Sequence, residues 1–138
     1  MLSAKNKLMD GVDRVIQKWV SCWEKGAARE LGSLYTEECI FYSTIGEKLV
    51  TTSSGVADYF EGVFLQHPGV QVKAEPLHWI RSGEHFFTVG GRLLFLTVKD
   101  GSYGARVAWV FRCDNAEWLI HCHHSSIPIM NVADVKKN

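Results

Sequence analysis

The sequence carries no excess charge of either sign: 15 Lys and Arg balance 15 Asp and Glu. Nucleic acids and anionic membranes call for a basic face. No run of Lys or Arg precedes Lys136-Lys137, so neither partner is expected. The four cysteines, Cys22, Cys39, Cys113 and Cys122, form no C-x-x-C pair, which excludes a zinc ribbon and a thioredoxin-type motif. No apolar stretch approaches the roughly 18 residues of a spanning helix. Met1 to Asp10 is polar and lysine-bearing, without the apolar core of a secretory signal. A soluble cytoplasmic protein with free thiols is therefore expected. There is no G-x-S-x-G, no H-E-x-x-H and no P-loop. Gly90-Gly91 follows no strand-to-helix turn, so it is no phosphate loop. No cofactor is implied.

What is present fits one domain of 138 residues, long enough to bury a core without staples. Residues 1–130 form that domain and 131–138 a polar tail. From Lys5 to Lys25, apolar residues recur at offsets of three and four: Leu8, Met9, Val12, Val15, Ile16, Trp19, Val20 and Trp23. That is a wide apolar stripe on a helix of about five turns, with Gly26 as its stop. Ala27 to Tyr35 reads as a short second helix. Cys39 to Thr44 is β-branched and aromatic, hence a strand. Thr52 or Ser53 can cap a third helix from Gly55 to Gln66, which His67-Pro68-Gly69 ends.

After Gly69 the period becomes two. Strands are expected over Val70 to Ile80, His85 to Val98, Tyr103 to Cys113 and Glu117 to Pro128. An irregularity is expected at Pro76, and a bulge or bend at Gly90-Gly91. Asp100-Gly101 and Asp114-Asn115 mark hairpin turns. Helices first and a meander after imply an α+β fold. Its form is a cone-shaped roll, with N-terminal helices packed on a strongly curved, mostly antiparallel sheet. The open mouth of such a cone is a usual place for a pocket.

This element order, with the segment Trp118-Leu-Ile-His-Cys-His-His-Ser-Ser-Ile-Pro128, resembles the SnoaL-like branch of the nuclear transport factor 2-like superfamily. Trp118, Ile120, His124, Ser126 and Pro128, with Arg106 to Phe111 before them, are similar to the association domain of calcium/calmodulin-dependent protein kinase II. The resemblance implies a conical roll that dimerises through its sheet. It does not set a function, because catalytic and non-catalytic members share the fold. In the association domain the position matching Ser125 is a pocket arginine. That likeness turns His121, His123 and Ser125 to the cavity and His124 away from it.

Strand alternation alone also puts His121, His123 and Ser125 on one face. Two pocket imidazoles suit acid–base chemistry, so His123 and His121 are the candidate catalytic residues. Alternation keeps the His-Cys-His-His run from closing around one metal ion, and no metal is expected. Ser43 stands where ketosteroid isomerase places its base, and Val107 to Trp109 carry no carboxyl, which disfavours that mechanism. Scytalone dehydratase works with histidines and tyrosines, and Tyr42 and Tyr59 are of the right type. Arg106, mid-strand among apolar neighbours, is either a buried ion pair or an anchor for a carboxylate. Trp19 and Trp23 are core residues that could also form pocket wall.

The sequence thus points to a SnoaL-like pocket protein and homodimer. Its ligand would be a small hydrophobic or carboxylate-bearing molecule held by Arg106, Tyr42, Tyr59, Trp19, Trp23 and Ser125. The alternatives are an acid–base lyase or isomerase of polyketide cyclase or dehydratase type, and a non-catalytic association module.

Overall fold

The computed structural model describes residues 4–75, 77–97 and 101–128. Helix α1 spans Ala4–Lys25. Its stripe is buried as the spacing predicts, with Val12, Val15, Ile16, Trp19, Cys22 and Trp23 all in the core. Gly26 ends it at φ +68°, and the next amide, Ala27, bonds back to the Cys22 carbonyl at 3.0 Å. Helix α2 is only Ala28–Gly32. Tyr35, expected at its end, instead opens strand β1, Tyr35–Tyr42. A three-residue strand β2, Val50–Thr52, was not legible in the sequence; two of its three side chains are exposed, so no apolar face marks it. Helix α3 runs Ser53–Gln66, and the Thr52 hydroxyl caps it by accepting from Gly55 N at 3.0 Å.

The segment expected as one strand over Val70 to Ile80 is two: β3, Gln71–Ala74, and β4, His78–Ser82. The expectation at Pro76 falls outside the described residues. Strands β5, Phe86–Thr97, β6, Gly101–Asp114, and β7, Glu117–Ser126, complete the sheet. The turn between β6 and β7 holds Asn115 at φ 52° and Ala116 at φ 64°, the mirror-image geometry that suits a tight hairpin. The expected turn at Lys99 and Asp100, and the tail 131–138, lie outside the described residues.

The order across the sheet is β2-β1-β7-β6-β5-β3, with β4 also pairing β5. Among the described residues, only the β1–β7 contact is parallel. Gly90 and Gly91 do not form the expected bulge. They stay in register with Ala108 and Val107. Here β5 changes its other neighbour, pairing β4 through Phe86–Gly90 and β3 through Leu93–Leu96. Two glycines let one continuous strand serve two short partners as the sheet curls.

The concave face is apolar: Phe87, Val89, Leu93 and Phe95 of β5 lie beside Ala105, Val107, Trp109 and Phe111 of β6, all buried. Helix α1 lies across it. Gly11 sits where that helix crosses Trp118, and a Cβ there would come within 2.8 Å of the indole. The layers are those of an α+β roll, and no described helix is long and apolar enough to cross a membrane.

Candidate functional site

Strand β7 carries one residue more than β6. Cys122 pairs Val110, but Ile120 pairs the very next residue, Phe111, so His121 is an extra residue in a β-bulge. A bulge breaks strict alternation. Trp118 and Ile120 face inward before it, and His123 and Ser125 face inward after it. His121 is thereby separated from His123, which corrects the expectation that both face the cavity. Its Nδ1 lies 3.1 Å from Thr36 Oγ1 and 3.4 Å from Arg112 Nη1, away from the pocket.

His123 is 1% exposed. Its ring lies between Phe41 at 4.8 Å and Trp109 at 5.4 Å, centroid to centroid. Three side chains far apart in sequence form a relay here. Trp19 Nε1–H donates to the Tyr35 hydroxyl at 3.0 Å, and among the described residues His123 Nδ1, 2.7 Å away, is the one acceptor that can satisfy the phenol's own buried proton. Nδ1 then accepts, and the neutral ring carries its proton on Nε2. Burial, reinforced by His124, pulls the imidazole down from 6.5 to about 3. Burial also pushes the Tyr35 phenol well above 10, against the hydrogen bond from Trp19. Both groups are therefore uncharged at neutral pH. The Nε2 of His123 and the Nε1 atoms of Trp23 and Trp109 have no hydrogen-bond partner. Aromatic rings surround all three, edge to face for Trp23 against Phe60 at 79° and tilted for His123 against Phe41 and Trp109.

Above this floor lies a cavity of about 580 Å³, between α1, α3, the loop after β1 and the concave sheet face. That volume is in the range of small-molecule sites. Its wall includes Trp19, Trp23, Phe60, Val63, Val70 and Phe95 on one side. Ser43, Thr44, His123 and Ser125 form the other, with Tyr59, Gln66, His67, Thr97 and Tyr103 around the remainder. Among the described residues, no Asp, Glu, Lys or Arg lines it.

Of the expected site residues, the cavity gathers Trp19, Trp23, Tyr59, His123 and Ser125. It does not gather Tyr42 or Arg106. Tyr42 is exposed on the convex face, beside His124 at 5.8 Å between rings. Arg106 is exposed too, because its apolar neighbours Ala105 and Val107 point inward while it points out. It is neither a buried ion pair nor a pocket anchor, and it stands opposite Arg92 on β5. Sequence reasoning missed Tyr35, Thr44 and Tyr103. Thr44 was within reach, since it ends the aromatic run that marks β1. Among the described residues, no three His, Cys, Asp or Glu side chains come together to hold a metal ion.

Residues 12–130 match the SnoaL-like domain model. The chain belongs to the SnoaL-like domain family. No curated protein matches it by sequence. Solved structures of the same fold include a candidate calcium/calmodulin-dependent protein kinase II association domain from Xanthomonas campestris. That structure is 20% identical with a TM-score of 0.77, over 87% of each chain. A candidate scytalone dehydratase from Novosphingobium aromaticivorans is 12% identical with a TM-score of 0.80, over 91% of this chain and 87% of that one. An NTF2-like protein with a cystatin-like fold from the same organism is 16% identical with a TM-score of 0.76, over 96% and 92%. The resemblance read from Trp118 to Pro128 and the α+β roll are thus both established.

Proposed function

We propose that this SnoaL-like chain is a small-molecule-binding protein whose ligand occupies the cavity over His123. The observation that carries the reading is the cavity itself: about 580 Å³, walled largely by aromatic rings, with no formally charged side chain among the described residues of its lining. Such a site favours an apolar ligand by the surface it removes from water. A neutral fluorescent probe, 1-aminoanthracene, tests it. Saturable one-to-one binding is expected, and Val63→Trp, which fills the cavity from α3, should abolish it. Equal binding by Val63→Trp would reject the cavity as the site.

A lyase or isomerase of dehydratase type is the second reading, favoured by the Tyr35–His123 pair under the cavity. In that chemistry His123, held neutral, acts as a hydrogen-bond donor and not as the base. The remaining imidazole on the wall is His67.

The protein is further proposed to work as a two-fold homodimer through the convex sheet face. Ile40 and Ile80, each about half exposed, and Tyr42 leave apolar surface there that a second copy would cover. A reducing, cytoplasmic setting fits the four free cysteines.

A further inference from the structure

The cavity wall is divided by chemistry. Rings and aliphatic groups predominate on the side formed by α1, α3 and β5, where Gln66 and Thr97 also stand, while three hydroxyls, Ser43, Thr44 and Ser125, lie on the side formed by β7 and the loop after β1. Ser125 is 5% exposed. Its Oγ lies 2.7 Å from Thr44 Oγ1, and either can donate to the other. Whichever donates, the proton of the second hydroxyl has no acceptor among the described residues. Ser43 Oγ accepts the Gly46 amide at 2.8 Å, so its own proton is likewise without an acceptor. Two hydroxyl protons thus remain on one edge of a pocket whose facing wall is largely rings. Ser43 and Thr44 are half-buried and Ser125 is buried, so an acceptor that displaces water here finds donors ready to meet it.

We infer that the pocket takes uncharged, ring-built molecules that bring an acceptor oxygen, such as a ketone, to the Ser125–Thr44 pair. This rests on the reading of the cavity as the ligand site. The rings recognise a flat apolar body by shape and burial. The hydroxyls orient it. A carboxylate finds no Lys or Arg among the described lining residues and would lose its hydration without a compensating charge. The ligand class therefore narrows from hydrophobic or carboxylate-bearing to neutral and acceptor-bearing.

Three probes of one shape separate the possibilities: fluorene, 9-fluorenone and fluorene-9-carboxylate, each titrated against the full chain at pH 7 by quenching of tryptophan fluorescence. Fluorenone should bind about fivefold more tightly than fluorene, the size of one neutral hydrogen bond. The carboxylate should bind most weakly. The double variant Ser125→Ala/Thr44→Val should remove the ketone's advantage over fluorene. Equal binding of fluorene and fluorenone would overturn the inference and leave the apolar pocket standing. So would an advantage that survives both substitutions, or tightest binding by the carboxylate. If none of the three binds, the pocket reading falls with it.

Discussion

The Tyr35 hydroxyl and His123 Nδ1 are 2.7 Å apart, 88 positions apart in sequence, and both are shut off from water. This contact ties the start of β1 to the end of β7 and fixes the tautomer of the only imidazole on the cavity floor. Tyr35→Phe removes the link and leaves two buried groups, Trp19 Nε1 and His123 Nδ1, without partners. A loss of about 2–3 kcal/mol is expected, read as a lower urea midpoint at unchanged slope.

The pH dependence of stability follows from the same ring. The His123 value is about 3 in the folded protein and 6.5 in the unfolded chain. Between those values the unfolded chain holds a proton that the folded one does not. Its contribution is therefore fully present above pH 6.5 and lost as pH falls toward 3, with a slope of up to about 1.4 kcal/mol per unit. Urea denaturation from pH 7 to 4 should show that slope. It should be shallower by one proton in His123→Gln, and an unchanged slope there would place the titration elsewhere.

The bulge yields a contrast between neighbours. His121→Ala and Arg106→Ala lie off the cavity and should leave the affinity for 1-aminoanthracene within twofold of the parent. Ser125→Trp, on the cavity side of the same strand as His121, should abolish binding. A tenfold loss in His121→Ala would return that residue to the pocket.

Dimerisation is testable without touching the core. Ala108 is exposed mid-way along β6 on the convex face, next to His124 and Gly90 in register. Multi-angle light scattering should give a dimer for the parent at micromolar concentration. Ala108→Arg should give a monomer with unchanged probe affinity. A monomeric parent would remove the proposal.

Much of this was legible because periodicity is a direct print of burial. The stripe from Val12 to Trp23, the Thr52 cap and the Gly26 stop each act locally, so short windows of sequence reveal them. Arg106 was misread for a different reason. It was judged by its neighbours in sequence, while on a strand those neighbours occupy the opposite face. His121 was out of reach altogether. Nothing in His-Cys-His-His says where an extra residue enters, because a bulge is set by how two strands are paired and not by either one alone. Tyr35 was lost to a boundary: a short helix and a strand meet there, and composition does not separate them.

The extra residue in β7 makes the strand behave like a reading frame. Residues upstream of His121 are in one phase and residues downstream in the other, so positions counted from Trp118 to Ser125 are assigned to the wrong side by one. Pairing the same residues without the bulge would exchange the two sets, turning His124 and Ser126 toward the ligand and His123 and Ser125 toward the outside, whereas deleting His121 would leave His123 and Ser125 facing in. Relatives that keep the letters of this strand but pair it without the bulge would thus have a different cavity lining from an almost identical string.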